Sequence, residues 1–205
     1  MKTKVTACVL AASLAGLAAT STQAATTLRM AHFWPGASGI NQDIFEAWAE
    51  TVEQESDGEL KVEMYPSGTL AKADAIYEAV GNGIADVGAT AQGYAAGRFP
   101  LSQIVELPGV ATTATQGACV LQTLYDEGHL DGEYADTKPL FMFTTGPGGI
   151  HTIDTDIQKP SDLEGLRIRR PTSVAGDMLE NMGPRRSACP RRTFTPPCSA
   201  AWSMA

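Results

Sequence analysis

The chain has 205 residues, 15 Lys and Arg against 23 Asp and Glu, and 43% hydrophobic residues. That length holds one or two domains and that apolar content fills a core, which excludes wholesale disorder. The net charge of −8 has the wrong sign for a nucleic-acid-binding face, and four Cys are too few for a disulfide scaffold.

The first 24 residues read as an export signal. Lys2 and Lys4 form a basic start, residues 5–17 are apolar, and Thr22-Gln23-Ala24 is a small-x-small site with cleavage expected after Ala24. Export places the mature chain in the periplasm or outside the cell. No run approaches the ~20 apolar residues of a spanning helix, so the mature chain is not expected to be membrane-embedded.

Strand and helix then alternate. Residues 28–34 read as a strand in which Arg29 and His32 interrupt the apolar residues. Ile44, Trp48 and Val52 recur at helical spacing and predict a helix over 41–55, stopped at Asp57-Gly58. Residues 60–65 alternate Leu, Val and Met with Lys and Glu, a half-buried strand. A helix over 72–80 puts Ile76, Ala79 and Val80 on one face, and 85–90 is a short buried strand. Residues 117–125 are helix-like. Strands at 140–144 and 149–153 flank the break Gly146-Pro147-Gly148-Gly149. A helical turn at 161–165, a strand at 166–170 and a helix at 173–182 follow. A β-α-β-α-β start predicts an α/β fold with a parallel sheet, whose ligands lie at the carboxyl ends of its strands.

Motifs for chemistry are sparse. The Gly-Pro-Gly-Gly break has no Lys-Ser/Thr after it and is not a phosphate loop. No Gly-x-Ser-x-Gly elbow occurs. His32, His129 and His151 lack metal-ligand spacing, so neither a metal nor another cofactor is expected. Cys119, alone in a helical run, reads as a small core residue. The segment Leu166-Arg167-Ile168-Arg169-Arg170-Pro171 differs. Alternation puts Arg167 and Arg169 on one strand face and Ile168 and Arg170 on the other. Either all three Arg are surface charges, or one ends in a cleft and holds a carboxylate through a bidentate pair.

The run from Leu70 to Gly88, the stretch from Ala91 to Gly97 with Tyr94, Glu106-Leu107-Pro108 and the segment from Asp162 to Pro171 together resemble the solute-binding subunit of tripartite ATP-independent periplasmic (TRAP) transporters. The resemblance covers residues 28–183. It implies a two-lobed α/β fold like that of periplasmic binding proteins, with a first lobe over 25–145 and the start of a second, incomplete lobe over 146–183. It implies a monomeric receptor that captures an organic acid and passes it to membrane permease subunits, with no catalysis of its own. The Arg of the family's Ile-Arg-x-Pro motif, which binds the substrate carboxylate, falls on Arg169. Further contacts are expected in the loops after the first and third strands, at Phe33, Trp34, Gln92 and Tyr94. Thr145 and His151 border the Gly-rich break and are expected near the cleft. The rival readings are a binding protein for an ATP-driven transporter or sensor, and a secreted enzyme.

Composition changes abruptly at Pro184. Residues 184–205 hold four Arg, four Pro, two Cys and no acid, with neither helical nor strand period. Read one base out of register, codons for residues 189–205 can encode M-P-A-P-D-V-Y-T-A-L-Q-R-G-V-V-D-G, a motif like the one with which the family continues. This tail is therefore expected to be an out-of-frame, disordered product that truncates the second lobe and impairs the receptor, with Cys189 and Cys198 implying no disulfide. Resequencing across Pro184 in independent isolates should restore the frame. The same frame and stop in every isolate would overturn this reading.

Overall fold

The computed structural model describes residues 24–182 and, beyond them, the backbone of two short strands, Arg185–Arg186 and Ala200–Met204. The expected export signal, apart from Ala24, and the two tail Cys lie outside the described residues.

Strand β1 (Thr26–His32) is central in a three-stranded sheet. It pairs in parallel with β2 (Leu60–Tyr65) on one side and β3 (Val87–Ala89) on the other. The order β2-β1-β3 is the parallel arrangement that the β-α-β-α-β start predicts. Helix α1 (Ala47–Glu55) connects the first pair, and α2 (Ile76–Gly81) precedes β3. Asp57 and Gly58 both take positive φ, 51° and 79°, and turn the chain back after α1. Arg29, one of the two residues that interrupt the strand, is an outward tie. Its Nε meets Asp86 at 3.0 Å and its Nη2 donates to the Gly83 carbonyl at 2.8 Å, pinning β1 to the turn before β3.

Two apolar clusters are separate. The larger joins Tyr77, Phe99, Leu121, Leu130, Tyr134 and Met142, and rests on α3 (Ala114–Asp126). The smaller joins Leu163, Ile168 and Leu179, between β5 (Arg167–Arg169) and α4 (Ser173–Asn181). Ile168 is 2% exposed while Arg167 and Arg170 face solvent and Arg169 is half-buried. The alternation read from the sequence therefore holds over 167–169, with Ile168 as the inward residue, and not at Arg170, which lies past the end of the strand and is exposed.

Four expectations are corrected. The helix at 41–55 is not one α-helix: Ile40–Glu46 forms wider π turns before α1 begins. Each extra residue per turn rotates the face, so Phe45, at 2% exposed, and Asn41 are buried while Ile44 is 47% exposed. The strand at 140–144 is absent, because this segment is held by one side chain and one backbone carbonyl of α3 instead of by a ladder. Gln122 Oε1 accepts from Met142 N at 3.0 Å, and Thr144 Oγ1 donates to the Ala114 carbonyl at 2.8 Å. Cys119 is exposed, on the outer face of α3, and is not a core residue. The tail contributes strands at the residues described. β6 (Arg185–Arg186) and β7 (Ala200–Met204) enter a second sheet of order β4-β7-β5-β6, where β4 is Gly148–Thr152. β7 runs antiparallel to β4 and parallel to β5. Unpaired ladder groups accept any extended backbone whatever its side chains, which is why a segment without a strand period can pair there.

The first sheet depends on close packing at one glycine. A Cβ on Gly88 in β3 would stand 2.7 Å from Ile76 Cγ2 and 2.8 Å from Val80 Cγ2 on α2. Gly88→Ala should therefore destabilise the fold by about 1–3 kcal/mol through overpacking, read as a lower urea midpoint at unchanged m-value. An unshifted midpoint would show that α2 yields freely.

Candidate functional site

The chain leaves β1 as Phe33-Trp34 and leaves β3 as Thr90-Ala91-Gln92-Gly93. Because His32 and Ala89 are paired in a parallel ladder, both exits open at the same, carboxyl end of the sheet. Facing them are Gly146 and Pro147, which lead into β4, and Pro171-Thr172, which lead out of β5. Together they enclose a cavity of about 390 Å³, the size of a small-molecule site. Trp34, Val105, Leu121, Phe143 and Met178 give it apolar walls, with Trp34 and Phe143 6.1 Å apart between ring centroids. Gln92, Ser102, Thr145, Thr172 and Glu106 bring polar groups.

Several of these groups are held from behind. Gln92 Nε2 donates to the Tyr134 hydroxyl at 3.3 Å, and that hydroxyl lies 3.1 Å from Ser102 Oγ. Ser102 Oγ donates at 2.6 Å to Glu133, a carboxylate only 6% exposed. Glu133 also accepts from the backbone N–H of Leu101 and Ser102, at 2.5 and 2.9 Å. Three donors on one buried carboxylate satisfy it and fix the turn Ser102–Glu106.

That turn presents Glu106. Thr172 Oγ1 donates to Glu106 Oε2 at 2.5 Å and accepts from Ala175 N at 3.2 Å, so one hydroxyl both caps α4 and holds the carboxyl. Ser173 Oγ donates to Gln103 Oε1 at 3.3 Å beside it. Burial pushes the Glu106 carboxyl above its ordinary value, and the Thr172 hydrogen bond opposes this. The contact requires Gly93, since a Cβ there would overlap both Thr172 Cγ2 and Glu106 Oε1.

Of the residues expected at the site, Trp34, Gln92 and Thr145 line the cavity. Phe33 and Tyr94 stand behind it: Phe33 stacks on Trp34 at 3.9 Å and meets the Tyr94 ring at 5.1 Å. Arg169 is half-buried on β5, two positions before the cavity wall at Pro171, and is not one of the lining residues. His151 is exposed on β4 and is not among them either. Sequence reasoning did not assign Glu106, Thr172, Gly93 or Phe143. Glu106 was in view as part of Glu-Leu-Pro, but nothing local marks it as facing a cavity. Among the described residues no group of three or more His, Cys, Asp or Glu could hold a metal ion, and no helix is long and apolar enough to cross a membrane.

An α/β chain with a solute-sized cavity at the carboxyl ends of a parallel sheet has the build of a periplasmic binding protein. The chain belongs to the DctP family, the bacterial extracellular solute-binding proteins of family 7, which matches residues 30–190. This is a family of solute-binding proteins and not of enzymes. A TRAP solute-binding protein from Rhodoferax ferrireducens, solved in complex with copurified benzoate, is 30% identical with a TM-score of 0.79 over 87% of this chain and 57% of its own. A marine metagenome TRAP solute-binding protein specific for aromatic acid ligands, solved with 3-hydroxybenzoate, is 34% identical with a TM-score of 0.76 over 81% of this chain and 52% of its own. The outer membrane transporter protein TsaT of Comamonas testosteroni is 26% identical over 88% of this chain and 53% of its own. The chain spans about half the length of the curated relatives it matches.

Beneath Trp34 lies His32, which is fully buried and packs on Phe45 at 5.0 Å. Asn41 and the Trp34 backbone are its polar neighbours, and neither ring nitrogen is in a well-formed hydrogen bond. Burial holds its pKa below the ordinary 6.5. The unfolded chain therefore takes a proton, as pH falls past that value, which the folded chain resists. Stability is full above it and declines below. The melting temperature should fall between about pH 7 and pH 5, and His32→Gln should flatten the fall. An identical slope in the variant would remove His32 as the cause.

Proposed function

We propose that this chain is an extracytoplasmic receptor that captures an organic acid and delivers it to a TRAP-type membrane permease. The observation that carries the reading is the cavity itself, walled on one side by the exits of β1 and β3 and on the other by Gly146, Pro147, Pro171 and Thr172. Two lobes closing on a solute by a hinge motion need a site built from both. The boundaries of those lobes are placed at 25–145 and 146–183, and the export signal at 1–24 puts the mature chain in the periplasm.

Aromatic acids are the favoured cargo. Trp34 and Phe143 put two aromatic rings in the wall, tilted 39° to each other with centroids 6.1 Å apart, and the relatives at 30% and 34% identity were solved with benzoate and 3-hydroxybenzoate. Arg169 is assigned to the carboxylate. The resemblance of its motif to that of TRAP receptors supports this, as does the course of the chain, which leaves β5 for the cavity wall at Pro171. The clamp forms when the β5 side closes on the cargo, where a guanidinium offers two parallel donors to a carboxylate.

Calorimetric titration with benzoate tests both assignments. Arg169→Ala should weaken binding about 30-fold to several thousand-fold, the range for losing one partner of a buried charge pair, about 2–5 kcal/mol. Arg169→Lys should lose much of the same affinity, while Arg167→Ala and Arg170→Ala, at exposed positions, should change it little. Equal, small losses at all three Arg would show that no single clamp exists.

A further inference from the structure

Among the described residues, Glu106 is the one ionisable side chain that lines the cavity, and it is an acid in a site read here as holding acids. The structure does not let it turn away. Its Oε2 is tied to Thr172 Oγ1 at 2.5 Å, and Thr172 is itself fixed as the cap of α4. Its Oε1 stands over Gly93, where any side chain would strike it. Behind it the Ser102–Glu106 turn is anchored through Ser102 on buried Glu133. A carboxyl fixed this firmly, with a glycine cleared beside it, is a built feature of the wall.

Two carboxylates brought together in a desolvated space repel strongly. A site that hydrogen-bonds a ligand group also rejects ligands that lack the matching donor, because the buried acceptor is then left unpaired. We propose that Glu106 sets the specificity of the cavity: it selects monocarboxylates that bring a hydrogen-bond donor, such as a ring hydroxyl, to the wall away from the carboxylate, and it rejects dicarboxylates. The proposal rests on the reading of the cavity as an organic-acid site.

The 205-residue chain and its Glu106→Gln variant are titrated with benzoate, 3-hydroxybenzoate and benzene-1,3-dicarboxylate. Gln keeps an oxygen for Thr172 and removes the charge. Ratios of Kd within each protein cancel any difference in the folded fraction. The parent chain should bind the hydroxy acid about tenfold or more tighter than benzoate, and the dicarboxylate about tenfold or more weaker. Glu106→Gln should shrink the dicarboxylate penalty by about tenfold. Ratios that the substitution leaves unchanged, with benzoate still bound, overturn the specificity role and leave the organic-acid site standing. Failure of all three acids to bind the parent chain overturns that site, and the role of Glu106 with it.

Discussion

Glu106 and Thr172 lie 66 positions apart in sequence and 2.5 Å apart in space. Their hydrogen bond sets the turn after β3 against the first turn of α4, and the cavity is the space left where those two parts meet. The contact is possible because Gly93 has no side chain and because Thr172 is already committed as a helix cap. A hydroxyl that accepts from Ala175 N and donates to Glu106 has its geometry fixed from both ends. The cavity wall thus inherits its rigidity from a helix terminus, a regular element whose own formation needs no ligand.

The same logic runs through the opposite wall. Gln92 opens the short 3-10 turn Gln92–Tyr94, and its amide is referred through Tyr134 and Ser102 to Glu133, which is buried and holds three donors. Tyr134 belongs to the larger apolar cluster. The polar groups facing the cavity are therefore stations at the edge of a packed core, and networks satisfied in this way rigidify the side chains they contain.

What the sequence carried and what it did not divide along a physical line. β2 shows in its alternation, and the parallel order of the first sheet follows from β-α-β-α-β alone. Trp34 and Gln92 could be placed because loops at the carboxyl ends of parallel strands face the ligand whatever their residues. The 41–55 stretch failed in its phase, since no hydrophobic period records π turns that shift the buried face from Ile44 to Phe45. Residues 140–144 failed because a strand needs a neighbour, and here one side chain and one backbone carbonyl of α3 hold the segment instead. Cys119 failed because helical propensity says nothing about which face looks outward. Glu106 could not be assigned from its neighbours at all: what makes it part of the site is Thr172, on another element. Arg169 shows the converse. Its motif is local and readable, but a motif fixes a residue on a strand and not its distance from a cavity.

The walls themselves constrain where a bound acid can put its charge. Aromatic faces carry the negative side of the ring quadrupole, so Trp34 and Phe143 suit an apolar ring and repel a carboxylate. Glu106 repels one as well. The walls contributed by Val105, Leu121 and Met178 offer a carboxylate nothing in exchange for its hydration. On the reading of the cavity as an organic-acid site, these groups disfavour the anionic end of the cargo, while Gln92, Ser102 and Thr145 bring polar groups elsewhere on the walls. A further side is formed by Gly146, Pro147 and the chain that leaves β5 for Pro171, and Arg169 is the last residue of that strand. The clamp proposed at Arg169 is compatible with these walls as well as with the motif that first pointed to it. An aromatic acid would lie with its ring against Trp34 and its carboxylate toward β5, with its far edge, where a hydroxyl can sit, within the field of Glu106.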